Sequence, residues 1–81
     1  MPEHANPELL KRLELAMLRL PHSTREIFLA HRLDDMSYQE IADRTGLTIR
    51  QVERHMAKAI YRLSKEFDDE PLRWWERLFR W

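Results

Sequence analysis

A single glycine, Gly46, stands between two capping boxes, and this arrangement limits what the chain can fold into more than any other feature. The first box is Ser37-Tyr38-Gln39-Glu40. Its serine oxygen can accept from the Glu40 backbone, and the Glu40 carboxylate can reach back to the Ser37 N–H. The second is Thr48-Ile49-Arg50-Gln51, built the same way. Each box opens a helix. Gly46 has no Cβ, so it can take the positive φ that stops one helix and turns the chain into the next. The spacing predicts a short helix over 38–44 and a long one from Thr48 to about Phe67. Ala42 is small where the two must cross, and Leu47 plugs the core just after the turn. Val52, Met56, Ala59, Ile60 and Leu63 mark the inner face of the long helix.

Those placements describe a helix-turn-helix in residues 37–65. They leave Ile49, Arg50, Glu53, Arg54 and Lys58 on the outward face of the second helix, where a recognition helix enters the DNA major groove. Overall charge argues the other way at first, since 14 Lys and Arg balance 14 Asp and Glu. Distribution resolves the conflict. From Arg44 to Lys65 the cations are Arg44, Arg50, Arg54, Lys58, Arg62 and Lys65, opposed only by Glu53. The acids gather at Asp34-Asp35 and Asp68-Asp69-Glu70, outside that stretch. A basic segment of this kind is the electrostatic footprint of a DNA-facing helix. Arg50 and Arg54 lie four apart, hence on one face, and suit guanine or phosphate. Glu53 can accept from cytosine N4 or orient its arginine neighbours. Gln51 completes the cap or reaches a phosphate, and His55 beside Lys58 can touch the backbone.

The remainder also reads as helix, so the fold class is all-α: four core helices plus a Trp-rich C-terminal one. Residues 1–6 are expected to be flexible. Pro7 suits the first turn of a helix capped by Asn6, and Leu9, Leu10, Leu13, Met17 and Leu20 recur at helical spacing until Pro21. Ser23 or Thr24 is positioned to cap a second helix with an apolar stripe of Ile27, Phe28, Ala30 and Leu33. Arg25 on that helix can pair with Glu40 and still reach a phosphate. No cysteine is present, which excludes disulfides and thiolate chemistry. The four histidines show no metal-ligand spacing, and no catalytic constellation appears, so neither enzyme activity nor a cofactor or metal is expected. No apolar run is long enough to span a membrane and the first ten residues lack the basic-then-apolar pattern of a signal peptide, so a cytoplasmic protein is the expectation.

The string Leu20-Pro21, Arg25-Glu26, Met36-Ser37-Tyr38-Gln39-Glu40-Ile41-Ala42, Gly46-Leu47-Thr48, Val52 and Ala57-Lys58-Ala59 to Leu63 resembles the fourth conserved region of bacterial sigma factors, closest to the extracytoplasmic-function group. The resemblance covers about residues 9–65. It implies recognition of a promoter −35 element in company with RNA polymerase, docked through the flap of its β subunit. By motif position Ile49, Arg50, Glu53 and Arg54 fall where family members touch base edges, and Arg25, Ser37, Tyr38, Gln39 and Lys58 where they touch phosphates. There are two departures. Asp35 stands where such proteins usually have glycine, so the loop there is expected to bend differently. The second region, which melts promoters and binds the polymerase core, is not in this sequence. Met1 and the aromatic end favour the expectation of a complete small protein: an accessory or split sigma subunit, working with a separate region-2 subunit, or a regulator that borrowed the domain. Otherwise the chain is the domain of an ordinary sigma factor.

Two other readings stay open. The chain could be an interaction module for an anti-sigma factor, a polymerase subunit or itself, or the DNA-binding domain of a two-component response regulator. The end of the chain, 68–81, reads as an acidic linker and a helix carrying Trp74, Trp75, Leu78, Phe79 and Trp81 as partner-binding residues. That segment either covers the first two helices of its own domain, binds a partner, or lies on a membrane surface; membrane association is the weakest of the three.

Overall fold

The computed structural model describes residues 7–68. They form four helices: α1 (Pro7–Arg19), α2 (His22–Arg32), α3 (Tyr38–Thr45) and α4 (Ile49–Glu66). Among the described residues there is no strand. The expected fifth helix, the Asn6 cap and the flexible N-terminus lie outside them.

α4 is the spine. It packs against α1, α2 and α3, and its inner row Val52, Met56, Ala59 and Leu63 is buried. Those positions step by four, three and four, the spacing that keeps side chains on one stripe of a helix. Leu13, Ala16 and Met17 come down on that spine from α1, Leu20 from just past its end, Ile27 and Phe28 from α2, Ile41 and Ala42 from α3. Phe67, just past α4, closes the bottom of the core. Arg12 holds this end: its guanidinium donates to the Glu66 carbonyl at 3.0 Å and lies 4.9 Å from the Phe67 ring centroid. Arg19 reaches the Glu66 carboxylate at 3.3 Å, but with side chains 69% and 38% exposed the pair adds little.

α2 differs from its sequence reading at both ends. It opens at His22, with Pro21 in the capping position and no side-chain cap, so neither Ser23 nor Thr24 caps it. Pro21, at φ −54° and ψ 145°, already presents its carbonyl to Arg25 N at 2.9 Å. Thr24 is thereby carried one turn in and faces the core. At the other end Leu33 is 59% exposed and caps the helix backbone through Leu29 O. Leu29, not Leu33, flanks the core.

The loop from α2 to α3 turns at Asp35, whose φ of 55° is left-handed. The bend is therefore the one glycine would make; aspartate adopts it because its short polar side chain tolerates this region better than most.

Candidate nucleic-acid interface

Both capping boxes form. At α3 the Ser37 N–H donates to Glu40 Oε1 at 2.9 Å, and the Glu40 N–H donates to Ser37 Oγ at 3.1 Å. At α4 the Thr48 N–H donates to Gln51 Oε1 at 2.9 Å, and the Gln51 N–H to Thr48 Oγ1 at 3.1 Å. The Glu40 carboxyl is held below its ordinary range, first by the Ser37 backbone N–H and then by the Ser37 hydroxyl, with desolvation opposing and the nearby charge of Arg44 adding the least.

The turn between the boxes is equally determined. Gly46 takes φ 78° and donates to Ala42 O at 2.9 Å. Thr45 hydroxyl donates to Ile41 O at 2.7 Å and accepts from Leu47 N at 3.3 Å. Thus the last carbonyls of α3 and the first amides beyond it are satisfied within the turn, which fixes where α4 begins relative to α3.

With Val52 and Met56 turned inward, the first turns of α4 present Ile49 (41% exposed), Arg50, Glu53, Arg54 and Lys58 to solvent. Among the described residues no hydrogen bond or ion pair engages the side chains of Arg50, Glu53, Arg54 or Lys58, so their charged ends stay available. Leu47, Gln51, Arg54, His55 and Lys58 line a shallow, open depression beside this ridge. The ridge and the positive end of the α4 dipole coincide, a favourable place for phosphate.

The other candidate residues divide. Ser37 and Gln51 are exposed, and both spend their side-chain oxygen on a cap. Gln39 Nε2 donates to Asp43 at 2.9 Å. Tyr38 is half-buried against the His31 ring, centroids 4.7 Å apart, and His31 Nδ1 in turn donates to Met36 O at 2.8 Å. That contact steadies the start of α3. Arg25 turns to α1 and not to Glu40: its Nη1 donates to Met17 O and Leu18 O at 3.4 and 3.3 Å, capping the end of that helix. His55 is half-buried and bonds through Nδ1 to Thr24 Oγ1 at 2.9 Å. Trp74, Trp75, Leu78, Phe79 and Trp81 lie outside the described residues.

Thr24, read from the sequence as a possible cap, is instead a structural residue behind the ridge. It is fully buried, and its bond to His55 ties α2 to the helix that carries the exposed ridge. The signal was present: Thr24, Ile27 and Phe28 share the spacing of one helix face, which puts the hydroxyl in the core and not at a cap. Thr45, the lock of the turn, carried no comparable mark.

The family described as "Sigma-70, region 4" matches residues 10–63, from the second turn of α1 to the last buried leucine of α4. The chain belongs to that family. The region 4 match takes in the ridge, both capping boxes and the turn together. The ferric citrate uptake sigma factor FecI of Escherichia coli (strain K12) is 40% identical over 53 residues, a match covering 65% of this chain and 31% of that protein. The chain thus aligns with less than a third of the relative's length. No solved structure matches. Region 4 being a helix-turn-helix domain of the transcription machinery, no enzymatic role arises from it. Among the described residues no group of His, Cys, Asp or Glu is arranged to hold a metal ion, and no helix is long and apolar enough to cross a membrane.

Proposed function

We propose that this region 4 domain recognises a −35-like promoter element by laying the first turns of α4 in the major groove, in concert with RNA polymerase. One observation carries the reading: Ile49, Arg50, Glu53 and Arg54 stand exposed and uncommitted at the start of a helix whose position is fixed by two capping boxes and a left-handed glycine. Arg50 and Arg54 read base edges or the flanking phosphates, Glu53 accepts from cytosine or aligns the arginines, and Ile49 offers an apolar contact to a thymine methyl. Ser37, Tyr38, Gln39, His55 and Lys58 line the approach to the phosphates. Arg25, tied to the α1 carbonyls, has a free edge at best, and its part is to hold α1 to α2.

RNA polymerase, through its β flap, is the partner that the family resemblance supports, and an anti-sigma factor or a separate region-2 subunit would complete the machinery. The reading covers an accessory or split sigma subunit and a domain of a longer sigma factor alike, because the DNA face is the same in both. The family match speaks for a sigma domain over the output domain of a response regulator. Fluorescence anisotropy with −35-like and scrambled duplexes across a salt series tests the proposal. Specific, salt-sensitive binding that disappears in the Arg50→Ala, Arg54→Ala double variant supports it; absent or salt-insensitive binding overturns it.

A further inference from the structure

The proposed DNA face belongs to α3 and α4, yet among the described residues an apolar groove opens elsewhere. Leu13, Glu14, Met17 and Leu18 of α1 and Leu29 of α2 line a groove between the two helices. Leu18 at its rim is 68% exposed. A contiguous apolar groove open to water in so small a domain is a place for an occupant.

We infer that the occupant is the chain's own residues 69–81, folded back across α1. Three observations carry this. The first is position. The chain leaves α4 at Phe67, which is buried under Arg12, and Arg12 adjoins Leu13 of the groove. The second is reach and content. Asp68-Asp69-Glu70-Pro71 can span roughly 13 Å when extended, about the width of a helix, ~10–12 Å, so they can carry the chain over α1. Beyond Pro71 the sequence is rich in groove-filling side chains: Leu72, Trp74, Trp75, Leu78, Phe79 and Trp81. The third is charge. The one charged residue in the groove lining is Glu14, and the segment supplies Arg73, Arg77 and Arg80. A short tether also holds the segment at an effective concentration on the order of millimolar, so a contact of modest intrinsic strength is mostly closed.

No groove residue belongs to α3 or α4. The closed segment therefore leaves the DNA face open and withdraws the α1–α2 surface from other proteins. Any partner that docks on that surface must displace it, and DNA need not. This inference stands independently of the promoter reading, since its test contains no DNA.

All three tryptophans, Trp74, Trp75 and Trp81, lie in the segment, so tryptophan emission of the full chain reports on it alone. The expected spectrum is blue-shifted and protected from acrylamide. Leu18→Glu, at an exposed position, should shift the emission to the red and raise the quenching constant while far-UV circular dichroism stays unchanged. Glu14→Lys should do the same through charge, and it serves if Leu18→Glu disturbs the fold. Emission typical of solvent-exposed indole in the unmodified chain overturns the inference. So does emission indifferent to both substitutions. A blue shift lost on dilution, in step with a dimer-to-monomer transition in sedimentation, also overturns it and assigns the groove to a second copy.

Discussion

Thr24→Val isolates the bond that couples α2 to α4, the helix proposed to read DNA. The substitution keeps the branched shape of a fully buried side chain and removes only the hydroxyl that meets His55 Nδ1 at 2.9 Å. A net protein hydrogen bond contributes about 0.5–1.5 kcal/mol, and a buried partner left unsatisfied costs about 1–3 kcal/mol. His55 is only half-buried, so water can recover part of its loss, and the expected destabilisation is about 1–2 kcal/mol. In a domain of this size that lowers Tm by roughly 4–8 °C per kcal/mol. Thermal and urea unfolding of the single variants Thr24→Val and His55→Ala and of the double variant close a cycle. The coupling energy should be about 0.5–1.5 kcal/mol. A Thr24→Val protein as stable as the parent, or a cycle with no coupling, would show that the contact does not hold α2 to α4.

Gly46→Ala meets no atom within 4 Å of the added Cβ, so its whole cost lies in the left-handed backbone at φ 78°. A loss of about 1–2 kcal/mol in chemical unfolding is expected, whereas a larger loss would mean that the turn is also closed by packing. Glu40, whose folded-state carboxyl sits below its ordinary value, stabilises the protein above the usual carboxylate range and stops doing so as pH falls through its lowered value. Glu40→Gln, which can still cap, should flatten that part of the acid stability profile; an unchanged profile refutes the assignment. Lys58→Ala, if it removes one phosphate contact, should lower the slope of log K against log salt by about 1 without changing sequence preference, while Arg50→Ala should cost about 1–3 kcal/mol and relax preference at one base pair.

The helix-turn-helix half of the fold was readable because each constraint there is local. A capping box needs two side chains three residues apart, and a left-handed stop needs a glycine, so Ser37, Glu40, Gly46, Thr48 and Gln51 announced α3 and α4 without tertiary information. The first two helices were readable in outline but not in detail. Pro21 fixes its own backbone and needs no side-chain cap, so the polar Ser23 and Thr24 mislead, and only the packing against α4 shows Thr24 inside. Arg25 was ambiguous for a related reason. An arginine can satisfy its donors on carboxylates, carbonyls or phosphates, and its choice of the α1 carbonyls depends on how α1 meets α2. Asp35 shows the opposite error: its identity suggested a different bend, and the loop imposed a glycine-like backbone all the same.

The central claim is that the exposed start of α4 meets DNA. Amide chemical-shift mapping of the full chain, titrated with a −35-like duplex at fixed low salt, tests it most directly. The account predicts that the largest shifts fall on Ile49–Lys58 and on the Ser37–Gln39 start of α3, with α1 little changed. Shifts concentrated on α1 and α2, or a spectrum that DNA leaves unaltered, would contradict it.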